Sequence, residues 1–427
     1  MKKIYNPAPE TWEELLKRPT QTFEAIEQTV TSIFTEVQRS KNKAVQKYTS
    51  LFDGVSIENL LVSQKEIEAA VTAVPEELKK AIQTAKENIT IFHEAQKTSD
   101  VKVTTSTGVS CWQVKKPIDK IGLYIPGGSA PLFSTVLMLS IPAKIAGCKE
   151  IVLCTPPNKE GKINETILYA AQLCGVTKIF KVGGIQAIAA MTFGTETIPA
   201  VYKIFGPGNQ FVTVAKQKAT QFGVAIDMPA GPSELLVYGD ESSNPNYIAS
   251  DLLSQAEHGP DSQVILVSTD EKLLNAVEVA LEDQLKVLPR VGIAEKAIEN
   301  SKLIYVADQK IALDLINTYA PEHFIIASDA PEYFVENIEN AGSVFIGSFT
   351  PESAGDYASG TNHTLPTNGF AKNYSGVMLD SYMKAISFQK ITPEGLKNLG
   401  STIEIMAQAE GLEAHKNAVS IRLKDIE

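Results

Sequence analysis

The sequence predicts an α/β protein with two domains, each built on a parallel sheet. From Lys120 onwards, short apolar stretches alternate with helical patterns, which is the spacing of βαβ units. The alternation runs twice, first from Lys120 to Gln221 and then from Glu234 to Ile346. The chain has 427 residues, more than a single hydrophobic core usually serves. Two consecutive α/β domains explain all three observations.

Residues 1–119 are predicted to be a helical N-terminal region that packs partly on the second α/β domain. Apolar residues recur at helical spacing from Glu24 to Tyr48. Ser63 and Glu66 form a capping-box pattern at the start of another helix. His93 lies in a charged helical stretch, which predicts a position on the surface.

Residues 120–233 are predicted to form the first α/β domain. Its expected strands are 121–125, 150–154, 178–182 and 202–205, and its expected helices are 131–147, 164–173, 186–193 and 211–221. Glycine turns follow three of these strands, at 126–128, 183–184 and 206–208. Ligands bind at the carboxyl ends of parallel strands, so the turns indicate a cleft for an anion or a nucleotide. A purely structural role stays open, because Phe211 stands where the dinucleotide fingerprint has its third glycine.

Residues 234–375 are predicted to form the second α/β domain, and residues 376–427 a C-terminal helical domain. The expected strands are 235–238, 263–268, 303–306, 324–328 and 343–346, and the expected helices are 246–258, 271–284 and 309–319. Between Gly347 and Asn373 the pattern gives way to a long polar loop. A loop of this length in a compact protein usually carries function.

Composition excludes some classes of protein. A formal net charge of −11 and only four scattered arginines argue against a nucleic-acid-binding protein, although they permit a dinucleotide held by backbone N–H groups. No apolar run is long enough to span a membrane, and residues 1–10 do not resemble a signal peptide. The cysteines show neither metal-binding nor redox-motif spacing, so we expect buried free thiols and a cytoplasmic protein. They are Cys111, Cys148, Cys154 and Cys174.

Several histidines lie beside a carboxylate or an amide at the end of a segment. They are His258, His323, His363 and His415. Gln255 and His258 are one helical turn apart, and with Asp356 and His415 they offer oxygen and nitrogen donors that suit Zn²⁺ or Mn²⁺. Spacing does not show that these residues meet, and His258 could simply cap a helix that ends at Gly259.

Glu322 and His323 are adjacent at a predicted turn from a helix to a strand. A carboxylate beside an imidazole supplies two groups that can act as acid and base near neutral pH. The alternative is that Glu322 caps the turn and His323 is a partly buried strand residue.

With these residues in view, the chain resembles the histidinol dehydrogenase family from end to end. Eight motifs carry the resemblance in the family's order: YIPGGSAPL (124–132), VGGIQAIAAM (182–191), IFGPGNQFVT (204–213), DMPAGPSE (227–234), SQAEHGPDSQ (254–263), APEH (320–323), GDYASGTNHTLPT (355–367) and EGLEAH (410–415). The resemblance implies two incomplete Rossmann-like domains in an intertwined homodimer.

The resemblance also implies roles for individual residues. The expected zinc ligands, which also surround histidinol, are Gln255, His258, Asp356 and His415, the last supplied across the dimer interface. The other expected substrate contacts are Ser233, His323, His363 and Glu410. The expected NAD contacts are Tyr124, Gln186 and Asn209, and the expected catalytic pair is Glu322 and His323.

The activity that the resemblance implies is the zinc- and NAD-dependent oxidation of L-histidinol to L-histidine through the aldehyde, the last steps of histidine biosynthesis. Three other interpretations remain: a dehydrogenase of another small alcohol, a metal-dependent hydrolase in which Glu322 activates water, and a non-catalytic scaffold stabilised by metal. Formation of NADH separates the dehydrogenases from the hydrolase. His363 and Glu410 favour histidinol over another alcohol.

Overall fold

The structure, a computed structural model, describes residues 1–19, 23–127 and 131–426. Gly128 of the first predicted glycine turn therefore lies outside the described residues. Within the described ranges, the chain forms two parallel sheets and one antiparallel sheet. The predicted α/β class with two parallel sheets is confirmed.

The N-terminal region is mostly helical, but it also contributes strands that the sequence patterns did not reveal. Its elements are β1 (Lys2–Tyr5), α1 (Trp12–Leu15), α2 (Phe23–Ser40), α3 (Asn42–Asp53), α4 (Gln64–Ala73), α5 (Glu76–Glu94), β2 (Val101–Ser106) and β3 (Val109–Pro117). The capping box of Ser63 and Glu66 is present at the start of α4. The predicted surface position of His93 is wrong, because its side chain is fully buried on α5.

The first parallel sheet has the strand order of a Rossmann-like fold that lacks its sixth strand. Its elements are β4 (Lys120–Tyr124), α6 (Phe133–Ala146), β5 (Glu150–Thr155), α7 (Glu165–Leu173), β6 (Lys178–Lys181), α8 (Gly184–Phe193), β7 (Lys203–Phe205), α9 (Gln210–Thr220) and β8 (Ala225–Ile226). The order across the sheet is β6-β5-β4-β7-β8. Most strand residues are buried, because helices cover both faces of the sheet.

The second sheet repeats this order and gains β1 at one edge. Its elements are β9 (Glu234–Gly239), α10 (Pro245–Ala256), β10 (Gln263–Ser268), α11 (Glu271–Leu285), α12 (Val291–Glu299), β11 (Lys302–Tyr305), α13 (Gln309–Tyr319), β12 (His323–Ala327), α14 (Glu332–Asn337), β13 (Ser343–Ile346) and α15 (Glu352–Tyr357). The order is β1-β11-β10-β9-β12-β13. Helix α10 ends two residues before His258, the predicted end.

Two predictions about the last third of the chain need correction. The long loop predicted from Gly347 to Asn373 contains α15 and a 3-10 turn at Phe370–Lys372. The C-terminal part, predicted to be helical, has a 3-10 turn at Leu379–Tyr382 and a nine-residue strand before its two helices: β14 (Met383–Ile391), α16 (Pro393–Ala409) and α17 (Glu413–Lys424). Strand β14 pairs with β3, which in turn pairs with β2, in the antiparallel sheet.

The C-terminal part contacts the first sheet but leaves much of its own surface exposed. Tyr382 stacks on Phe205 with ring centroids 4.1 Å apart, and Lys203 donates to the carbonyl of Ser381 at 2.8 Å. Helix α17 buries no residue against the rest of the chain, and Ile405 and Met406 of α16 are 67% and 62% exposed. Among the helices of the described residues, none is sufficiently long and apolar to cross a membrane.

Candidate active site

The predicted cofactor residues lie at the carboxyl edge of the first sheet. Strand β4 ends at Tyr124, and the turn Gly183–Gly184 follows β6. The hydroxyl of Tyr124 accepts a hydrogen bond from the backbone N–H of Gly184 at 3.1 Å. Burial raises the pKa of Tyr124 to about 12, so the ring remains a neutral phenol at physiological pH.

Gln186 and Asn209 lie at the N-termini of the helices that follow two of the glycine turns. Gln186 is buried in the first turn of α8, and its Oε1 has no hydrogen-bond partner among the described residues. Asn209 caps α9, since its Oδ1 accepts from the N–H of Val212 at 3.1 Å. A buried amide oxygen without a partner is costly unless a bound molecule supplies a donor.

A buried ion pair, which the sequence analysis missed, holds the third glycine turn. Lys216 Nζ lies 2.5 Å from Asp227 Oδ1 and donates to the carbonyl of Gly206 at 2.8 Å. The other carboxylate oxygen of Asp227 accepts from the N–H of Gly206 at 2.8 Å. Gly206 has a φ of +130°, and a Cβ there would collide with the carbonyl of Tyr124. The turn is therefore held by the ion pair of Lys216 and Asp227 and by close packing against β4.

The predicted catalytic and metal residues lie at the amino edge of the second sheet. His323 begins β12, Glu234 begins the neighbouring β9, and Gln255 lies in the last turn of α10. Asp356 comes from α15, which packs against α10. The structure therefore brings together residues more than 100 positions apart, which spacing in the sequence could not show.

His323 is surrounded by three carboxylates. Its Nδ1 lies 3.7 Å from both Glu322 and Glu352, and its Nε2 lies 3.6 Å from Asp356. Burial opposes the charged imidazolium, but these carboxylates raise the pKa of His323 well above its usual value. Nδ1 is also 3.1 Å from the backbone carbonyl of Glu234, which fixes the ring against β9.

Glu322 is a buried carboxyl whose orientation is fixed by the backbone. Its Oε2 accepts from the N–H of Glu234 at 2.9 Å. Burial raises the pKa of Glu322 to about 8. Near neutral pH both its acid and its base form are accessible, which is what a group that exchanges protons with a substrate requires.

The backbone beneath this pair is held by a second ion pair that the sequence analysis missed. Arg18 donates from Nε and Nη2 to the carboxylate of Glu234 at 2.7 and 2.8 Å. Arg18 Nη2 also donates to the carbonyl of Tyr319 at 2.7 Å, and the guanidinium lies 3.9 Å from the centroid of that ring. The N-terminal region thus supports the strand that orients both Glu322 and His323.

Three of the four predicted zinc ligands lie around this centre. His258 is exposed, yet desolvation of its ring and the nearby imidazoles lower its pKa, so that it is neutral, the form that binds metals. Burial would raise the pKa of Asp356, but His323, 3.6 Å away, and the neighbouring imidazoles lower it, so that it is ionised. Gln255 is buried and, in the amide orientation that satisfies its neighbours, contacts Glu352 and accepts from the N–H of Glu234 at 3.0 Å.

The local chemistry suits a metal ion. Donor atoms of His323, Glu352 and Asp356 all lie within 4.8 Å of one another. His323 Nε2 is buried without a hydrogen-bond partner among the described residues. A mixed set of imidazole, carboxylate and amide donors fits a borderline divalent cation such as zinc.

The remaining predicted substrate residues fall into two groups. Ser233 immediately precedes Glu234, and His363 lies between the two sheets, with Nδ1 2.9 Å from the carbonyl of Asp356 and Nε2 3.1 Å from the hydroxyl of Thr135. Glu410 and His415 are exposed on the C-terminal helices. No hydrogen bond or ion pair described in this chain joins those two residues to the other predicted site residues.

Sequence reasoning also missed Glu352. This residue lies four positions before Asp356 on α15, so both carboxylates project from one face of the helix. The spacing is visible in the sequence, but it indicates a shared face only on a helix, and the sequence predicts a loop for residues 347–373. Glu352 is 1% exposed and contacts both His323 and Gln255.

A Rossmann-like sheet with glycine turns, beside a buried Glu–His pair and a cluster of metal-binding donors, defines an α/β enzyme. A family model described as histidinol dehydrogenase matches residues 16–423. The histidinol dehydrogenases of Bacteroides fragilis and Bacteroides thetaiotaomicron are each 58% identical over 426 residues, covering 100% of both chains. A crystal structure of histidinol dehydrogenase from Elizabethkingia anophelis has a TM-score of 0.97 and 55% identity, covering 100% of this chain and 98% of that one. The chain belongs to the histidinol dehydrogenase family and is an oxidoreductase.

Proposed function

We propose that the chain oxidises L-histidinol to L-histidine through L-histidinaldehyde, with zinc and NAD, in the last steps of histidine biosynthesis. Membership of the family supports the substrate. The observation that carries the mechanism is the buried pair of Glu322 and His323. Two adjacent groups that exchange protons suit two successive oxidations at one carbon atom.

Gln255, His258, Asp356 and, from a second subunit, His415 are the residues that would hold zinc. The convergence of the first three, with their neutral imidazole and ionised carboxylate, supports this assignment. When bound, zinc would supply a positive charge that anchors the imidazole of the substrate. Ser233, His363 and Glu410 would contact the remainder of histidinol.

Tyr124, Gln186 and Asn209 are the proposed contacts for NAD, which when bound would accept the hydride. All three lie at the edge of the first sheet where the glycine turns occur. Helices α8 and α9 also begin there, and helix N-termini favour pyrophosphate.

In the first oxidation His323 acts as the neutral imidazole, the form that zinc bound at Asp356 would favour by offsetting the carboxylates around the ring. It takes the proton of the hydroxyl group as the carbinol carbon loses a hydride, which leaves the aldehyde. Glu322, as the carboxylate, then takes a proton from water while the water oxygen adds to the aldehyde carbon. His323 returns its proton to the carbonyl oxygen at the same time, which gives the hydrate and leaves His323 neutral again. His323 takes a proton from the resulting hydrate as that carbon loses a second hydride, which gives the carboxylic acid. Two hydrides leave, one water is consumed, and one proton remains on each of His323 and Glu322, which balances a four-electron oxidation.

The first experiment is to measure NADH formed per L-histidinol consumed, with zinc present and NAD in excess. Two NADH per substrate, with L-histidine as the product, is the expected result. A ratio of one would contradict the second oxidation. No NADH at all from zinc-loaded protein would overturn the proposal and favour a hydrolase.

Glu322→Gln tests the division of roles within the pair. We expect the variant to slow oxidation of supplied histidinaldehyde by roughly 10²–10⁴-fold, the usual contribution of a general base, and to affect alcohol oxidation much less. Glu336→Gln, which removes an exposed carboxylate on α14, is the matched control. Equal losses in both half-reactions would refute the assignment of Glu322 to water activation.

We also propose that the active unit is an intertwined homodimer. The exposed apolar residues of α16 and the exposed position of His415 support it, because large exposed apolar surface marks an interface. In a mixture of His415→Ala and Gln255→Ala chains, hybrid dimers would contain one intact site. About one quarter of the wild-type sites should therefore be recovered after random reassociation. No recovery above either variant alone would refute shared sites.

Two further assignments belong to the proposal. We propose the division into residues 1–119, 120–233, 234–375 and 376–427. The second and third ranges each contain the strands of one parallel sheet, except that β1 joins the second sheet from the N-terminal region, and the antiparallel sheet joins the first range to the last. A cytoplasmic location is supported by four free cysteines, three of them buried, because a reducing compartment keeps such thiols free.

A further inference from the structure

A cavity of about 1040 Å³ opens at the carboxyl ends of β4 and β5. Residues at or just beyond the ends of these strands line it, among them Gly127, Thr155 and Pro156. Asp53, the last residue of α3, reaches the same cavity from the N-terminal region. The Oδ2 atom of Asp53 is buried and has no hydrogen-bond partner among the described residues.

The other carboxylates of this cavity are either paired or solvated. Glu66 forms an ion pair with Lys181 at 2.5 Å, and Glu160 pairs with Lys162 at 3.2 Å. Glu165 is exposed to water. Asp53 alone among the described lining carboxylates combines a buried oxygen with the absence of a donor, so it is the one whose surroundings are incomplete.

The position of Asp53 corresponds to a missing part of the Rossmann-like fold. In dinucleotide-binding sheets an acidic residue some 20 positions after the glycine turn binds the hydroxyl groups of the adenosine ribose. Here Glu150 has that spacing, but it begins β5 at the opposite edge and pairs with Lys178 at 2.8 Å. The cavity end of β5 carries Thr155 and Pro156, which offer no carboxylate.

We propose that Asp53 accepts hydrogen bonds from the ribose hydroxyl groups of the adenosine half of NAD and thereby selects NAD over NADP. This inference rests on the proposed use of a dinucleotide at the edge of the first sheet. A carboxylate complements two hydroxyl donors, whereas the 2′-phosphate of NADP would bring a second negative charge against it. The N-terminal region thus supplies the acidic residue that the sheet lacks.

The electrostatic surroundings of Asp53 agree with this role. Burial raises the pKa of Asp53 to about 6, so at pH 7.5 the group is a carboxylate, and no ion pair joins it to a described residue. It lies sufficiently close to Tyr124 to contribute to the raised pKa of that phenol. Asp53 and the proposed NAD contact Tyr124 therefore belong to one region of the cleft.

The test compares the kinetics of purified wild type and Asp53→Asn with NAD and with NADP, at saturating zinc and L-histidinol. We expect kcat/KM for NAD to fall about 10- to 100-fold, which is the effect of losing hydrogen bonds to a charged group. The loss should appear in KM rather than in kcat, because the ribose is remote from the reacting carbon. The ratio of kcat/KM for NAD to that for NADP should fall by a similar factor.

Glu58→Gln is the matched control, because it removes an exposed carboxylate five residues away that does not line the cavity. Its cofactor preference should stay within about twofold of wild type. The melting temperature of Asp53→Asn without cofactor should be equal to or above that of wild type, since an unpaired buried charge opposes folding. A merely structural Asp53 would lower the melting temperature and leave the cofactor ratio unchanged.

An unchanged ratio in Asp53→Asn, with wild type active on NAD, would overturn the assignment of Asp53 and leave the proposed function intact. Absence of NAD reduction by wild type would instead overturn the proposed function. If the variant is too unstable for kinetics, Asp53→Glu separates the cases. It keeps the charge and should retain more of the preference for NAD than Asp53→Asn.

Discussion

Replacement of Arg18 by Met should destabilise the second sheet strongly, although Arg18 lies outside it. The guanidinium makes two hydrogen bonds to Glu234, at 2.7 and 2.8 Å, and one to the carbonyl of Tyr319 at 2.7 Å. The side chain of Glu234 is 1% exposed, so water cannot replace the lost partner. Removing one partner of a buried ion pair typically costs about 3–5 kcal/mol.

The size of this effect can be read as a shift in melting temperature. For a domain of about 150–250 residues, 1 kcal/mol corresponds to roughly 2–4 °C, so Arg18→Met should lower the transition by roughly 6–20 °C. Scanning calorimetry at fixed protein and zinc concentrations measures it, because binding and association also shift the transition. The kcat should fall as well, since the backbone N–H of Glu234 orients Glu322.

The double variant Arg18→Met/Glu234→Gln provides the control. The introduced amide removes the unpaired charge and keeps an oxygen that can accept from the N–H of Asn368, a partner of Glu234 in the native chain. A large part of the lost stability should therefore return, as it does when both partners of a buried pair are replaced. A fall of less than about 2 °C in Arg18→Met, or a double variant as unstable as the sum of the two single changes, would refute the reasoning.

Three other perturbations test different parts of the structure. His93→Gln should flatten the acid side of the stability profile. Burial holds the pKa of His93 below 6.5, so its contribution to the free energy of unfolding is complete above pH 6.5 and falls below that pH by at most about 1.4 kcal/mol per pH unit. Urea titrations from pH 7.5 to 5 measure this dependence, and equal slopes for variant and wild type would contradict it. Gly183→Ala places a Cβ 2.5 Å from the ring of Pro156, which should lower the free energy of unfolding by about 1–3 kcal/mol and raise the KM for NAD. An unchanged KM would contradict the placement of the cofactor at this turn. Removal of zinc by a chelator should lower the melting temperature reversibly. The stabilisation lost should be about 4 kcal/mol if the free zinc concentration had exceeded its dissociation constant a thousandfold. The Gln255→Ala variant should show almost no response to the chelator.

The parallel sheets could be predicted from sequence because their signals are local. Buried parallel strands appear as short apolar runs, and the helices between them keep the 3.6-residue period, so most predicted boundaries lie within two residues of those observed. Strand β14 could not be recognised in this way. Its residues are almost all exposed in the single chain, so its sequence, MKAISFQKI, has no clear apolar face.

Sequence reasoning could predict those site residues that belong to rare residue types, but not those that belong to common ones. Five histidines in 427 residues attract attention, and three of them lie around one centre. Glutamate is abundant, so Glu352 and Glu234 carried no comparable signal although both are nearly inaccessible to solvent. The wrong prediction for His93 has a different cause. A polar helix pattern does not reveal the neighbouring loop, which places Asn362 3.3 Å from its Nε2.

The two sheets share one strand order but use opposite edges, and the polarity of their helices explains why this suits the proposed ligands. At the carboxyl edge of the first sheet, α8 and α9 begin, so their N–H groups and positive dipole ends face the place proposed for an anionic cofactor. At the amino edge of the second sheet, α10 ends beside Gln255 and α13 ends just before Glu322. Negative dipole ends converge there together with three carboxylates around His323, and such a place attracts a cation. If both ligands were bound at carboxyl edges, the proposed metal would face positive dipole ends. The opposed arrangement therefore lets one simple fold, used twice, bind an anion in one half and a cation in the other.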